Sequence, residues 1–156
     1  MRVIICSDSH GRGDLLQAAV DRYPADVLIH LGDHCADVHK IKLPEGMQIV
    51  SVCGNCDVGG APMEQSIELE GKKIFLTHGH RYHVKSGLNM LCARADALGA
   101  HLCLYGHTHL PGYEFFARSI ILNPGALCGN RTNGKSGFAY AEWKRGGQIY
   151  FQMCEV

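Results

Sequence analysis

Five short polar clusters in this sequence carry side chains that could ligate a metal ion. Each cluster directly follows an apolar run of strand length. The clusters are Asp8-Ser9-His10, Gly32-Asp33, Gly54-Asn55, His78-Gly79-His80 and Gly106-His107-Thr108-His109. In open α/β sheets, ligands bind in the crevice beyond the carboxyl ends of the strands. Clusters that lie far apart in the chain can therefore meet in one place.

The residue types in these clusters are typical of a site for divalent transition metals. Imidazole nitrogens and carboxylate or amide oxygens suit Mn, Fe, Zn and their neighbours, whereas thiolates would indicate a softer site. Residues two apart on an extended segment point to the same face. Asp8 with His10, and His78 with His80, have that spacing. The sequence therefore predicts a metal site.

An alternation of strands and helices is predicted to position the first three clusters. The apolar runs of strand length are residues 2–6, 27–31 and 47–52. Apolar residues from Leu15 to Val20 recur at helical spacing, and Pro24 ends that predicted helix. This part of the chain is typical of an α/β fold with parallel strands.

The rest of the chain is predicted to contain one further helix and many strands. Residues 67–69 and 73–77, separated by Gly71, predict a hairpin. An apolar stripe from Leu88 to Leu98 predicts a helix that stops near Gly99. Further strands are predicted at residues 102–105, 114–117, 120–122, 138–143 and 148–153. Because no helix separates the last four runs, we expect this half to be an antiparallel meander.

The composition is that of an ordinary folded protein. The chain has 156 residues, 46% of them hydrophobic and 19% charged, which excludes a disordered chain and predicts one domain over residues 1–156. Lys and Arg together number 15, as do Asp and Glu, so the charge does not favour a nucleic-acid partner. No apolar run approaches the ~20 residues of a membrane span. We expect a cytoplasmic protein without a membrane partner, in which most of the eight cysteines are free thiols.

The five clusters, in this order, resemble the motifs of the calcineurin-like metallophosphoesterases. The similarity is greatest to the small single-domain phosphodiesterases of that superfamily, and it extends from Arg2 to about Gly125. One His-x-His pair is a weak signal, but five clusters in the family order are a strong one. The resemblance implies an α/β (α+β) fold: a four-layer αββα sandwich of two packed mixed sheets flanked by helices.

The resemblance also implies a centre of two divalent metal ions. By matching position, one ion would be held by Asp8, His10 and His109. The other would be held by Asn55, His78 and His107, and the Asp33 carboxylate would bridge the two. Manganese is the expected metal, and ligand chemistry also allows Fe, Ni or Zn.

Such a centre implies hydrolysis of a phosphoric ester, most naturally a diester. Two ions about 3.5–4 Å apart clamp a phosphoryl group and lower the pKa of a bridging water, so that hydroxide attacks phosphorus in line. The catalytic residues implied are Asp33, Asn55 and His80. The partner would be a small phosphate ester, and homo-oligomerisation stays open because related proteins often pair. The alternative is a catalytically weak scaffold that acts as a protein-interaction subunit.

One position departs from the commonest family pattern. Many relatives carry a histidine directly after the metal-binding asparagine, where it protonates the leaving group, but this chain has Cys56. A thiol with a pKa near 8.5 is a poorer general acid than imidazole. The phosphodiesterase branch tolerates cysteine here, and His80 is a candidate substitute.

Several other residues have a structural interpretation. His30, His34, His39, His83 and His101 are expected to be ordinary core or surface histidines. Asp57 is expected to support a turn or to support the metal ligands without binding the metal itself. Cys53 and Cys56 form a Cys-x-x-Cys spacing, but a zinc site would need a second such pair, so the spacing is interpreted as coincidence.

Residues 129–136 match the P-loop expression G-x-x-x-x-G-K-[ST]. A P-loop is followed by a helix whose N-terminus faces the phosphates. Here an alternating aromatic run follows, from Phe138 to Trp143, and it predicts a strand. The segment is therefore interpreted as a polar turn.

Overall fold

Within the described residues, the protein consists of two five-stranded β-sheets and two α-helices. The computed structural model describes residues 1–144 and 147–156. The elements are β1 (Arg2–Cys6), α1 (Gly13–Arg22), β2 (Val27–His30), β3 (Gln48–Ser51), β4 (Glu64–Leu69), β5 (Lys72–Thr77), α2 (Asn89–Ala97), β6 (Leu102–Leu104), β7 (Gly112–Phe116), β8 (Ser119–Asn123), β9 (Gly137–Trp143) and β10 (Ile149–Glu155). Short 3-10 helices at Cys35–His39 and His80–Tyr82 follow β2 and β5.

The first sheet has the strand order β10-β9-β1-β2-β3. Strands β1, β2 and β3 are parallel, with Ile5 opposite Ile29 and Ile29 opposite Val50. Parallel neighbours need a crossover connection, which α1 supplies between β1 and β2. Strand β9 pairs antiparallel with both β1 and β10. The carboxyl ends of β1 and β2 therefore lie at one edge of this sheet.

The second sheet has the order β4-β5-β6-β8-β7. Strands β5, β6 and β8 are parallel, and α2 lies in the connection from β5 to β6. Strands β4 and β5 form an antiparallel hairpin, as do β7 and β8. The carboxyl ends of β5 and β6 are neighbours, as those of β1 and β2 are in the first sheet.

Apolar side chains fill three layers of the molecule. The layer between the sheets contains Ile5 of β1, Ile29 of β2, Ile74 of β5 and Leu104 of β6, all fully buried. A second cluster packs α1 onto the outer face of the first sheet, and a third packs α2 onto the outer face of the second. The predicted four-layer arrangement of two mixed sheets flanked by helices is confirmed.

The prediction of an antiparallel second half is wrong in two respects. Strand β8 runs parallel to β6, and β9 and β10 join the first sheet instead of extending the second. The β7–β8 hairpin reverses the chain once, so that β8 returns alongside β6 in the same direction.

Residues 129–136 form turns and lead into β9, so the interpretation of the P-loop-like segment as a turn is confirmed.

The helices and the cysteines of the described part of the chain bear on two further expectations. None of its helices has the length and apolar character needed to cross a bilayer. All eight cysteines are free thiols, and six of them are buried. Buried thiols pack like small apolar groups.

The layer between the sheets is expected to dominate stability. Ile74→Ala removes a fully buried side chain from this layer, and should lower the free energy of unfolding by about 2–5 kcal/mol. Val58→Ala, at a fully exposed residue, is the matched control and should change it by less than about 0.5 kcal/mol. Urea denaturation measures both values; equal effects would contradict this account of the core.

Candidate metal centre

The carboxyl ends of β1, β2, β5 and β6 meet at one end of the sandwich, and they bring four of the polar clusters together. Hydrogen bonds join the two sheets here. His78 Nδ1 lies 2.7 Å from the carbonyl oxygen of Leu31, and the His107 N–H donates to Asp8 Oδ2 at 3.0 Å. Asp8 N donates to the Gly32 carbonyl at 2.9 Å. The clusters are therefore held by contacts between loops distant in sequence.

Asp8 lies at the centre of this group and is fully buried. Its Oδ2 accepts hydrogen bonds from Ser7 Oγ at 2.5 Å and from the His107 amide. Its Oδ1 has no hydrogen-bond partner. Three imidazole nitrogens surround that oxygen: Nε2 of His109 at 3.0 Å, of His78 at 3.9 Å and of His10 at 4.0 Å.

Asp33 stands between two histidines. Its Oδ1 lies 3.4 Å from Nε2 of His78, and its Oδ2 lies 3.5 Å from Nε2 of His10. The Cys56 amide also donates to Oδ1, at 2.8 Å. Each carboxylate oxygen thus faces a different imidazole, which is the arrangement a carboxylate shared by two cations requires.

His78 is oriented by its other ring nitrogen. Because the Leu31 carbonyl can only accept, the short contact from Nδ1 places a proton on that nitrogen. Nε2 is then left with its lone pair, and it is buried without a partner. Metal-ligating histidines are typically oriented in this way.

The four remaining candidate ligands are His107, His10, His109 and Asn55. His107 joins Asp33 and His78 in a group whose ligand atoms lie within 4.8 Å of one another. The rings of His10 and His109 are 5.6 Å apart. Asn55 is exposed, and within the described chain its side-chain hydrogen bond is to Cys56 Sγ at 3.3 Å. The structure thus gathers Asp8, His10, Asp33, His78, His107 and His109, whereas Asn55 lies at the surface.

These residues fit divalent cations. Donor atoms that share one ion at about 2.1 Å are separated by about 3–4 Å, and the separations around Asp8 Oδ1 and Asp33 lie in that range. Asp8 Oδ1 and His78 Nε2 are buried polar atoms without hydrogen bonds. His109 Nε2 is 3.0 Å from Asp8 Oδ1, yet that oxygen accepts no aligned hydrogen bond. A short separation without an aligned hydrogen bond is expected of two donor atoms that both point at one metal ion.

The backbone at the centre is strained in a way that places these side chains. Five of the candidate ligands have positive φ: Asp8 (52°), His10 (44°), Asp33 (57°), His107 (68°) and His109 (63°). Non-glycine residues rarely adopt this conformation, and each such residue costs of order 1–3 kcal/mol. The surrounding hydrogen bonds must offset that cost.

Two glycines allow the loops to approach each other closely. A Cβ on Gly54 would lie 2.1 Å from Asp33 Oδ1, and one on Gly106 would lie 1.9 Å from Ser7 Oγ. Both distances are far below any contact that real atoms make. The glycines beside the polar residues are therefore required by packing around the two carboxylates.

The electrostatics keep both carboxylates ionised. Burial alone would raise the pKa of Asp8, but His109, His78 and the Ser7 hydroxyl outweigh it and lower that pKa. Burial opposes ionisation of Asp33 as well, but His78 and the Cys56 amide hold its pKa well below the usual range. Burial and the neighbouring His78 lower the pKa of His107 to about 4. His107 is therefore a neutral imidazole at pH 7, the form that binds cations.

His80 lies beside the group without joining it. Its ring is 5.4 Å from that of His78 and 6.1 Å from that of His107, and its Nδ1 is buried without a partner. Burial and His78 lower its pKa. The predicted catalytic role of His80 stays a prediction.

The hydrogen bonds of two supporting residues, Asp57 and Asn123, are visible only in the structure. Asp57, expected to support a turn or the metal ligands, accepts hydrogen bonds from the backbone N–H groups of Asp33, Cys35 and Gly54 at 2.7–2.9 Å. Asn123 Nδ2 donates to the Gly106 carbonyl at 2.9 Å. These contacts join loops that are not neighbours in the chain, so no local signal could have revealed them.

A second supporting network begins at His30. The fully buried His30 contacts Ser9 Oγ through Nε2 at 3.0 Å, and Ser9 donates to Asp37 Oδ2 at 2.7 Å. The Gly32 amide donates to His30 Nδ1 at 3.2 Å. His30 is therefore a core histidine, as expected, and it supports both the Asp8–His10 loop and the Asp33 loop.

Comparisons with known proteins show the family to which the chain belongs. Residues 1–146 match the model of the calcineurin-like phosphoesterase superfamily domain. The probable metallophosphoesterase YsnB of Bacillus subtilis is 36% identical over 130 residues, which cover 81% of this chain and 75% of YsnB. The chain belongs to the calcineurin-like phosphoesterase superfamily.

Two further similarities concern a curated phosphodiesterase and a solved structure. The phosphodiesterase YfcE of Escherichia coli K12 is 29% identical over 156 residues, which cover 81% of this chain and 79% of YfcE. The crystal structure of Vps29 complexed with zinc, from Entamoeba histolytica, superposes with a TM-score of 0.77 and covers 99% of both chains at 18% identity. The second similarity shows the fold alone.

The close approach at Gly106 generates a prediction about metal binding. In Gly106→Ala the new methyl group must displace Ser7 and with it Asp8, so the affinity for Mn²⁺ should fall at least about 10-fold. Gly112→Ala is the matched control, because nothing lies within 4 Å of its Cβ position. Calorimetric titration of the metal-free proteins measures both affinities, and unchanged binding in Gly106→Ala would contradict the placement of Asp8.

Burial of His30 generates a prediction about pH. Burial lowers the pKa of His30 from 6.5 to about 4, despite the nearby carboxylates. Below pH 6.5 the unfolded chain takes up a proton that the folded protein does not. The free energy of unfolding of the metal-free protein should therefore fall between pH 6.5 and 4, by up to about 3 kcal/mol from this residue.

Urea denaturation across this pH range measures that fall. In His30→Gln the decline should be shallower by the contribution of the imidazole, because glutamine does not titrate. Identical slopes in the two proteins would show that His30 does not carry the effect.

Proposed function

We propose that this protein hydrolyses phosphoric esters, with phosphodiesters as the preferred class, using two divalent cations. The observation that carries this proposal is the pair of Asp33 oxygens, one facing His78 and the other facing His10. The unpartnered Asp8 Oδ1 and His78 Nε2 beside them support it. Membership of the superfamily and the similarity to a phosphodiesterase support it as well.

The candidate ligands divide into two sets around Asp33. By the family correspondence, Asp8, His10 and His109 would hold one cation, and Nε2 of His109 and of His10 lie 3.0 Å and 4.0 Å from Asp8 Oδ1. His78 and His107, with Asn55, would hold the other, and Asp33 would contribute to both. Asn55 is exposed and within reach of solvent, so its side chain would have to leave the Cys56 thiol to ligate. When bound, the cations supply a water of lowered pKa and a clamp for the phosphoryl group.

The charge of the centre favours an anionic substrate. Among these ligands only Asp8 and Asp33 are negatively charged, and the others are neutral imidazoles and an amide. Two divalent ions therefore leave the centre positive overall. An anionic ester is attracted without a surrounding patch of lysine and arginine.

The side chain in the usual proton-donor position is a weak acid in this protein. Partial loss of hydration and the Asp33 carboxylate raise the pKa of the exposed Cys56 thiol, so the thiol stays protonated and donates reluctantly at neutral pH. The site is therefore suited to esters whose leaving group departs without strong protonation, or to water as the proton donor. Manganese is the proposed metal, and Fe, Ni or Zn are compatible with the same ligands.

Hydrolysis of an artificial diester tests the function. With Mn²⁺ added, the protein should hydrolyse bis(p-nitrophenyl) phosphate, and excess chelator should abolish the reaction. Asp33→Ala should lower kcat/KM at least about 100-fold, because it removes the shared carboxylate and several kcal/mol of transition-state stabilisation. Release of p-nitrophenolate measures the rate.

Lys135→Ala is the control, because a P-loop hydrolase would depend on that lysine. Lys135 Nζ instead pairs with Glu155 Oε1 at 2.7 Å on the surface. Because exposed ion pairs contribute about 0–1 kcal/mol to stability, Lys135→Ala should leave the hydrolysis rate within about 2-fold of that of the parent protein. Elemental analysis of the purified protein identifies the bound metal. A protein that binds Mn²⁺ tightly but hydrolyses neither diesters nor monoesters would favour the scaffold alternative.

A further inference from the structure

Cys128 lies beside the candidate metal centre although no motif points to it. The segment after β8 crosses the Asp8 loop, where Leu127 N donates to the Ser7 carbonyl and Cys128 N to the Asp8 carbonyl, both at 3.0 Å. These two bonds fix the backbone of Cys128 relative to Asp8. The thiol is thereby placed 3.8 Å from Nδ1 of His109, and it is half-buried.

His109 differs from His78 in how its ring is held. Nδ1 of His78 lies against a carbonyl oxygen, which accepts hydrogen bonds only and so fixes the proton position. Nδ1 of His109 faces the Cys128 thiol instead, while Nε2 of the same ring lies 3.0 Å from Asp8 Oδ1. Within the described residues, Cys128 is the side chain in hydrogen-bond range of that Nδ1.

We propose that Cys128 is the positioning residue for His109, and that it tunes cation affinity at the half of the centre formed by Asp8, His10 and His109. This inference rests on the proposed function, because it needs a cation at that position. The sulfur accepts the Nδ1 proton and so presents the Nε2 lone pair toward Asp8. Partners of this kind typically change metal affinity 10–100-fold when they are removed.

Geometry favours this role over direct ligation by the sulfur. The two nitrogens of an imidazole point away from each other, and the sulfur lies at the Nδ1 side while Asp8 lies at the Nε2 side. An ion held by Nε2 and Asp8 Oδ1 would then lie on the opposite side of the ring from Cys128. His10 lies close enough for its ligand atom to fall within 4.8 Å of those of His109 and Cys128, so the thiol also limits the space into which either ring can turn.

A thiol differs from the carbonyl partner of His78 in a way that matters for binding. A sulfhydryl is both a weak donor and a weak acceptor, so in the metal-free protein it can contact Nδ1 of His109 in either tautomer, and a cation at Nε2 would select the form in which Nδ1–H donates to the sulfur. The His78 half is therefore fixed before a cation arrives, whereas the His109 half adjusts as the cation binds. We expect the two halves to differ in affinity for this reason.

The test is a Co²⁺ titration of the metal-free, full-length protein, followed by the visible absorption of the bound cobalt. The parent protein should bind two equivalents. Cys128→Ala should weaken one equivalent about 10–100-fold and leave the other within about 3-fold. Cys128→Ser should restore most of the affinity, because a hydroxyl also donates and accepts.

Cys92→Ala is the matched control, since Cys92 is a buried cysteine of α2, in the cluster that packs α2 onto the second sheet, and should leave both equivalents unchanged. Long-range ¹H–¹⁵N NMR of the parent and of Cys128→Ala provides a second readout that does not depend on metal or activity. The balance of Nδ1–H and Nε2–H forms of His109 should change in Cys128→Ala and return in Cys128→Ser.

Each other outcome overturns the proposal. If the parent binds two cobalt ions and Cys128→Ala binds both equally well, the positioning role is wrong while the proposed function stands. If the parent binds no cobalt, manganese or zinc, the proposed function fails together with this inference. A sulfur-to-cobalt charge-transfer band that disappears in Cys128→Ala would mean that the thiol is itself a ligand, which contradicts positioning through His109.

Discussion

Buried ligand atoms that have no partner within the protein are the constraint on which this structure depends. Asp8 Oδ1 and His78 Nε2 are excluded from solvent and accept or donate no hydrogen bond. Leaving such groups unsatisfied costs roughly 1–3 kcal/mol each, and more for a charged group. Divalent cations at the centre would satisfy both atoms and reduce the repulsion between the Asp8 and Asp33 carboxylates. Ion binding at the centre is therefore expected to raise the free energy of unfolding.

The loops around the candidate metal centre hold these unpartnered atoms in place. Positive φ angles at five of the candidate ligands store backbone strain, and polar side chains outside the centre oppose its release. Asp57 joins the Asp33 loop to the Gly54 loop, and Asp37 accepts from Ser9 and from the Gly11 amide. Such contacts hold each loop in position although it contains few apolar residues. The parallel strands behind them, packed through Ile5, Ile29 and Leu104, form the rigid base that the loops need.

Much of the fold could be anticipated because its signals are local. The apolar runs that became β1, β2 and β5 and the helical periodicity of α1 and α2 are set by the burial of one face or of a whole strand. The order of strands within each sheet, in contrast, is not set by local signals. That β8 lies parallel to β6, and that β9 and β10 complete the first sheet, depends on pairing between distant segments. Alternation of apolar and polar residues predicts a strand but contains no information about its neighbour or its direction.

The same division applies to the candidate site. The sequence by itself determined which donor types are present, their order and their position at the ends of strands, because ligand chemistry and strand periodicity are both properties of short segments. Only the tertiary structure decided which nitrogen of His78 is free, that each Asp33 oxygen faces a different histidine, and that Cys128 lies against His109. The physical reason is that these features rest on hydrogen bonds between residues far apart in the chain, 47 positions for His78 and Leu31 and 99 for His107 and Asp8. Such contacts exist only once the two sheets have packed.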